Sequence, residues 1–209
     1  MHAFGICWGL AVVATPLAAA IGASSWRGAA ALFGALLLYI RAFLPAKRRL
    51  LPAARRKLLI DFSLFVGPVF AGLAWALGLT PGQSFGALCL AVPTGIVVLR
   101  SGCFFSGCCH GRPSRWGPRY LETRVLPLPL LESSVAALLL TAAGVSLYMG
   151  VDRVALASCL ALSYVAYRFF AEFFRARSGD FRVRRFAGLS LTQWLCAMMF
   201  TGSAVGGVL

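Results

Sequence analysis

Long apolar segments, separated by short basic connections, run along almost the whole sequence. None of them alternates apolar and polar residues with the period of two that is typical of a membrane β-barrel strand. Apolar runs of about 18 residues or more indicate membrane-spanning helices, which satisfy their own backbone hydrogen bonds in lipid. The pattern therefore predicts an all-α fold: a polytopic membrane protein with a bundle of about seven transmembrane helices, at residues 3–23, 28–45, 58–79, 82–99, 131–151, 154–174 and 188–208.

The connections are too short to separate two domains, so we expect one integral membrane domain over residues 1–209. The small residues 18–20 in the first run resemble a signal-peptide cleavage zone. A signal peptide also needs a positively charged segment before its apolar core, and only Met1 and His2 precede Ala3. Retention of this run as a membrane helix is the favoured interpretation.

Composition strengthens the membrane prediction, because 60% of the residues are apolar, only 12% are charged, and the mean hydropathy is +0.82. A soluble domain has about a quarter charged residues. The sequence thus excludes a soluble enzyme, a disordered tail and a disulfide-rich secreted module. The net charge of +14 does not indicate nucleic acid, because the basic residues lie in the connections between apolar runs. A membrane surface or an anionic lipid fits this placement better.

The basic residues also bear on orientation. Sixteen of the 20 lie in the connections after the second, fourth and sixth runs, which share one side if seven helices alternate. The opposite connections carry only Arg27 and Arg153. By the positive-inside rule the basic side faces the cytoplasm.

The first candidate site is the segment from Arg100 to Arg112, which follows the fourth apolar run. An isolated arginine there would be an interfacial anchor. Here Arg100 is accompanied by three glycines, which allow a close backbone approach, and by a histidine, all within thirteen residues. This density favours a functional site, which contains Gly102, Gly107, His110 and Gly111.

The cysteines allow three interpretations. Thiolates and imidazole are zinc ligands, so Cys103, Cys108, Cys109 and His110 could form a metal site. Their spacing does not match a C-x2-C knuckle, and no second ligand pair follows. A redox thiol pair is another hypothesis. We favour small packing residues and expect neither a metal nor another cofactor; the remaining cysteines, in apolar runs, are Cys7, Cys89, Cys159 and Cys196.

The second candidate site lies in the sixth run, where Tyr164, Arg168, Glu172 and Arg175 are spaced 4, 4 and 3 residues apart. This spacing places them on one helix face. A charge at the centre of a spanning helix costs at least about 2.5 kcal/mol, so it must face protein, water or a charged ligand. An Arg168–Glu172 pair that fixes helix packing is one interpretation. A polar stripe that faces a lipid headgroup is the favoured one.

Two polar residues at helix starts accompany these sites. Glu132 lies near the start of the fifth run, where a helix dipole favours a carboxylate. Gln193 lies near the start of the seventh run, and polar side chains inside a membrane usually form hydrogen bonds between helices.

Over about residues 80–209, the sequence resembles the prolipoprotein diacylglyceryl transferase family, seven-helix bacterial enzymes that attach diacylglycerol to the lipobox cysteine of preprolipoproteins. The family's R-F-x-x-E-F-x-R motif is matched in full from Arg168 to Arg175. Its signature G-R-x-G-N-F-x-N-x-E-x-x-G is matched in part, and so are its P-x-Q-L-Y-E and G-x-S-x-x-Q motifs. The matching residues of these three are Arg100, Gly102, Phe104, Gly111, Pro127, Leu130, Glu132, Gly188, Ser190 and Gln193.

The sequence departs from the family at two places. Cys103, Ser106 and Cys108 replace the two asparagines and the glutamate of the signature. The family's essential histidine, in an H-G-G segment before its third helix, has no counterpart, because no histidine lies between His2 and His110.

The resemblance implies transfer of a diacylglyceryl group from phosphatidylglycerol to a cysteine thiol, with release of glycerol phosphate. Arg100 and Arg168 would bind the phosphate, because guanidinium groups form two parallel hydrogen bonds to it. Glu132 and Glu172 would hold these arginines. His110, the histidine nearest to the matched motif, becomes the candidate general base. The further expected substrate-binding residues are Gly102, Cys103, Gly111, Tyr164, Arg175 and Gln193.

The expected partners are phosphatidylglycerol or another anionic phospholipid and the lipobox segment of a preprolipoprotein, at the bacterial inner membrane. Members of the family place the signature at the outer face, opposite to the side that the charge count assigns to Arg100. Three rival functions remain open. They are transfer to a different acceptor, binding or transport of anionic lipid without catalysis, and a thiol or metal protein centred on Cys103, Cys108, Cys109 and His110.

Overall fold

The computed structural model describes residues 2–43, 45–46, 58–120, 123–175 and 185–205. These residues form seven long helices and two short antiparallel ribbons. The helices are α1 (His2–Ala23), α2 (Trp26–Leu38, continued by a π-helical turn at Tyr39–Phe43), α3 (Leu58–Ala76), α4 (Pro81–Phe105), α5 (Leu128–Tyr148), α6 (Arg153–Ala171, continued by a 3₁₀ turn at Glu172–Phe174) and α7 (Leu191–Val205). The ribbons pair β1 (Arg119–Tyr120) with β2 (Thr123–Arg124), and β3 (Arg185–Phe186) with β4 (Leu189–Ser190).

Each of the seven helices coincides with one predicted apolar run, and the predicted all-α membrane fold is confirmed. The predicted boundaries differ from the observed ones by several residues, and two of the differences have a clear local cause. The fourth helix does not end at residue 99 but continues to Phe105, because the backbone leaves the helical conformation only at Gly107. The fifth helix begins at Leu128 and not at residue 131, since a proline at its second position fits the first turn of a helix. Six basic residues of the second connection, residues 47–57, lie outside the described residues.

The distribution of side chains is inverted relative to a soluble protein. Large apolar side chains face outward, and Ile21, Leu138 and Phe170 are each more than 60% exposed. The interior holds small residues and several charges instead, among them Glu132 at 1% exposure and Arg168 at 6%. Four of the described helical segments are long and apolar enough to span a bilayer. An apolar exterior around a polar interior is what a lipid environment requires, so the chain is a multi-pass membrane protein.

Helices α1 and α4 cross at a pair of glycines. A Cβ atom added to Gly22 would lie 2.0 Å from the carbonyl oxygen of Gly86, and one added to Gly86 would lie 2.3 Å from that of Gly22. Beside them, Ala19 and Ala87 are fully buried. Small residues let two backbones approach closely, which is the usual basis of helix packing in membranes.

Replacement of Gly86 by alanine should therefore lower the thermal unfolding temperature of the protein in detergent. The added methyl group would overlap the Gly22 backbone, and overpacking of this kind costs typically about 1–3 kcal/mol. Gly72→Ala is the matched control, because a Cβ at Gly72 meets nothing within 4 Å and alanine is the better helix former. If Gly86→Ala and Gly72→Ala unfold at the same temperature, the close crossing does not exist.

The two ends of the bundle differ. At one end Arg27 donates to the Leu77 carbonyl oxygen at 3.3 Å, and Arg153 donates to Ser24 Oγ at 3.0 Å. At the other end, the carboxyl ends of α4 and α6 meet the amino ends of α5 and α7. Both candidate sites of the sequence lie at this second end.

Candidate functional site

Five charged side chains from three consecutive helices and the turn after α6 converge inside the bundle. The Glu132 carboxylate on α5 lies at the centre and forms ion pairs with Arg100 Nε on α4 and Arg168 Nη1 on α6. Its Oε1 atom is also 3.7 Å from Arg175 Nη2. The second carboxylate, Glu172, has its Oε2 atom 3.5 Å from Arg168 Nη2 and 3.4 Å from Arg175 Nε. We call these five residues the arginine–glutamate cluster.

The arginine–glutamate cluster is buried and carries more positive than negative charge. Arg100, Glu132, Arg168 and Glu172 are each less than 9% exposed. Buried charges cost several kcal/mol each in desolvation unless partners and hydrogen bonds compensate them. Each of the three guanidinium groups faces at least one of the two carboxylates, and the cluster as a whole carries a net charge of +1. The centre is thus disposed to bind an anion.

Several buried donors of this centre have no hydrogen-bond acceptor among the described residues. They are the Tyr167 hydroxyl, Arg168 Nε, and Arg175 Nε and Nη2. The carboxylate atoms Glu132 Oε2 and Glu172 Oε2 face guanidinium nitrogens, also without hydrogen-bond geometry. A buried donor without an acceptor costs about 1–3 kcal/mol, and more when it is charged. A ligand with several acceptor oxygens would remove this cost.

Hydrogen bonds between α4 and α5 fix the elements beside the Arg100–Glu132 pair. Ser133 Oγ donates to the Val97 carbonyl oxygen at 3.1 Å, and Ser101 Oγ lies 3.1 Å from Ser133 Oγ. Each serine follows one member of the ion pair in the sequence. Because the two helices are joined at this level, Arg100 and Glu132 are held opposite each other.

Gln193 confirms the prediction of a hydrogen bond between helices. Its Nε2 donates to the Phe169 carbonyl oxygen of α6 at 3.3 Å. Its Oε1 accepts from Ser190 N at 2.9 Å and its own N–H donates to Ser190 Oγ, which forms a capping box at the start of α7. Gln193 therefore anchors α7 to the helix that carries Arg168.

The loop after α4 returns toward the arginine–glutamate cluster. Gly111 N donates to the Leu126 carbonyl oxygen at 2.8 Å, and Gly111 forms an isolated antiparallel bridge with Arg175. A Cβ at Gly111 would lie 2.8 Å from the Phe174 carbonyl oxygen, so glycine is needed for this approach. The bridge places His110, one residue earlier, on the segment that pairs with Arg175. His110 Nδ1 lies 3.1 Å from the Gly111 carbonyl oxygen.

Three thiols gather at the start of the same loop. The Sγ atoms of Cys103, Cys108 and Cys109 all lie within 4.8 Å of one another. A hydrogen bond with Cys103 and the charges of Arg100 and Arg175 lower the pKa of Cys109 below that of an ordinary thiol. Burial, together with the charge of Cys109, raises the pKa of Cys108.

The structure brings together most of the residues that the sequence singled out. Arg100, Glu132, Arg168, Glu172 and Arg175 form one cluster, and Tyr164 lies within electrostatic range of it. Gly102 and Cys103 are buried in the last turns of α4, beside Arg100. Sequence reasoning missed Tyr167, whose ring centroid is 6.4 Å from that of Tyr164. Tyr167 directly precedes Arg168 in the sequence, and this position could have indicated that it lies near the charged centre.

The fold and this cluster define a multi-pass membrane protein with a buried arginine–glutamate centre at one end of its bundle. The family model for prolipoprotein diacylglyceryl transferase matches residues 62–209, more than half of the chain. The chain belongs to this family, and the resemblance found in the sequence is confirmed. Membership makes it a transferase-like protein with lipid and lipoprotein substrates at the level of the family. A comparison with curated proteins finds no match.

Proposed function

We propose that this protein transfers the diacylglyceryl group of phosphatidylglycerol to the lipobox cysteine of a preprolipoprotein, in the bacterial inner membrane. Membership of the family supports a transferase of this kind. The observation that carries the proposal is the set of buried donors on Tyr167, Arg168 and Arg175 that have no acceptor among the described residues. A phosphodiester presents acceptor oxygens and one negative charge, which match these donors and the excess of guanidinium groups.

In the proposed reaction, the acceptor thiol loses its proton to His110. The thiolate then attacks the carbon of the diacylglyceryl group that is bonded to the phosphate oxygen. The carbon–sulfur bond forms as the carbon–oxygen bond breaks, and glycerol phosphate leaves with the electron pair. Arg100 and Arg168 bind the phosphate and stabilise the charge that develops on it. Glu132 and Glu172 hold the guanidinium groups in place. Gly102, Cys103, Gly111, Tyr164, Arg175 and Gln193 line or support the lipid-binding region.

The proposal is tested with the purified chain, phosphatidylglycerol in detergent micelles, and a synthetic lipobox peptide. We expect glycerol phosphate and diacylglyceryl peptide to appear in equal amounts, and neither to appear with phosphatidylcholine. Release of glycerol phosphate without modified peptide would indicate a different acceptor. Binding of phosphatidylglycerol without any release would contradict the proposal and favour a lipid-binding protein, a function compatible with the replaced residues Cys103, Ser106 and Cys108 of the signature.

Replacement of His110 by alanine or by glutamine should abolish turnover while phosphatidylglycerol binding stays intact. An ordinary cysteine thiol has a pKa of about 8.5, so transfer at neutral pH needs a proton acceptor near the donor lipid. The bridge between Gly111 and Arg175 supports this role, because His110 directly precedes Gly111 in the sequence. His2→Ala is the control for the loss of a histidine, because His2 begins α1 and lies outside the residues 62–209 that match the family model. If both His110 variants turn over like the parent, His110 is not the base.

A further inference from the structure

The three thiols are brought together by the way in which α4 ends. Gly107 adopts the left-handed conformation at φ +66°, the Gly107 N–H donates to the Phe104 carbonyl oxygen, and the Cys108 N–H donates to that of Cys103, both at 3.1 Å. This pair of bonds is the Schellman motif, in which the residue after the glycine contacts the side chain five positions earlier. The motif thus sets Cys108 against Cys103. Cys109, also left-handed at φ +59°, then turns its own thiol into the group.

We propose that Cys103, Cys108 and Cys109 form a binding site for a thiophilic metal ion, with Zn²⁺ as the preferred ion. Three cysteine sulfurs from one helix end and its loop form a ligand set that Zn²⁺ and Cu⁺ favour over other common ions. Around Zn²⁺, with bonds of about 2.3 Å, neighbouring sulfurs lie about 3.8 Å apart. The Sγ atoms, already within 4.8 Å of one another, reach that arrangement by small side-chain rotations.

The charge of the filled site favours Zn²⁺ over Cu⁺. Zn²⁺ with three thiolates carries a net charge of −1, whereas Cu⁺ with three thiolates carries −2. Burial of a charge costs free energy, and Cys103 is only 8% exposed at the end of a membrane helix. The less negative zinc complex is therefore the one that this position favours.

Three protein ligands are typical of zinc sites that also bind water or a substrate atom. His110 is not part of the group of ligand atoms that lie within 4.8 Å of one another, although it follows Cys109 directly. The site is therefore a three-cysteine centre that shares its loop with the residues proposed for transfer.

The test is the metal content of the full chain. The protein is purified without chelators, and its metals are measured by inductively coupled plasma mass spectrometry. We expect about one Zn²⁺ per chain. Cys103→Ser, Cys108→Ser and Cys109→Ser should each lower the content at least tenfold, whereas Cys159→Ser and Cys196→Ser should leave it unchanged. Cys159 is an exposed control and Cys196 a buried one. Unfolding temperatures of the variants, measured without metal, separate a lost ligand from a lost fold.

Substitution by Co²⁺ gives a second measurement. A sulfur-to-cobalt charge-transfer band in the near ultraviolet should appear in the parent and in Cys159→Ser, and should be absent in Cys109→Ser. Copper in place of zinc would support the site and overturn the choice of ion. A disulfide between two of the three cysteines, or three free thiols that bind neither Zn²⁺ nor Co²⁺, would overturn the site itself. None of these measurements depends on lipid turnover, so the proposed function stands or fails separately.

Discussion

Replacement of Glu132 by glutamine is expected to have the largest effect of any single change at the site. The amide keeps the shape of the carboxylate and removes its charge, so three buried guanidinium groups would face one carboxylate, Glu172. Removal of one partner from a buried ion pair costs about 3–5 kcal/mol. We expect a clear fall in the thermal unfolding temperature in detergent, and release of glycerol phosphate reduced by about 100-fold or more, because displaced arginines no longer hold the phosphate in position.

The matched control is Asp152→Asn, the same chemical change at the other end of the bundle. Asp152 caps α6 by accepting from Ala155 N at 2.8 Å, and asparagine is an equally good capping residue. This variant should unfold and turn over like the parent. Should Glu132→Gln fail to fold, Glu132→Asp keeps the charge on a shorter side chain and is expected to fold with reduced turnover. Parental stability and turnover in Glu132→Gln would show that the carboxylate does not organise the centre.

The helices of this protein were largely predictable from the sequence, because lipid imposes a simple rule on it. Each spanning segment must be long, apolar and helical, so the apolar runs coincide with the helices. The errors fell at the ends of the runs, where the rule no longer acts. Arg100 ends the apolar run but not the helix, since its guanidinium is buried against Glu132 rather than placed at the membrane surface.

The composition of the arginine–glutamate cluster was predictable, but its arrangement was not. The spacing of Arg168, Glu172 and Arg175 within one segment is local information, and it correctly placed them together. The central position of Glu132 depends on the mutual packing of α4, α5 and α6, which no spacing along the chain records. For the same reason the spacing indicated an Arg168–Glu172 pair, whereas the contact of Glu132 with the arginines was expected only from the family resemblance.

The cysteines show a similar limit. Gly107 is a recognisable helix-ending residue, and with it the contact between Cys103 and Cys108 could have been predicted. The left-handed conformation of Cys109 could not, because a residue with a side chain seldom adopts it without constraints from the surrounding structure. The spacing of a zinc knuckle therefore does not describe a group of thiols that a helix end assembles.

Replacement of Arg168 by lysine should remove most of the turnover while the protein still folds. Arg168 contacts Glu132 through Nη1 and Glu172 through Nη2, and its Nε remains available for a phosphate oxygen. A lysine ammonium is a point charge that can replace one of these contacts but not all three. Because a hydrogen bond to a charged group contributes about 1.5–3 kcal/mol, the loss of one at the phosphate predicts a fall in turnover of about 10- to 150-fold.

Comparison with two further variants separates the loss of phosphate contact from the loss of charge. Arg168→Ala removes the charge as well, so it should also unfold at a lower temperature, because both carboxylates lose a buried partner. Arg153→Lys is the control for the exchange of arginine by lysine, since Arg153 bonds to Ser24 at the opposite end of the bundle. It should keep parental turnover. If Arg168→Lys and Arg168→Ala both bind and turn over phosphatidylglycerol like the parent, the headgroup is bound elsewhere, and the unpaired donors of the arginine–glutamate cluster serve another ligand.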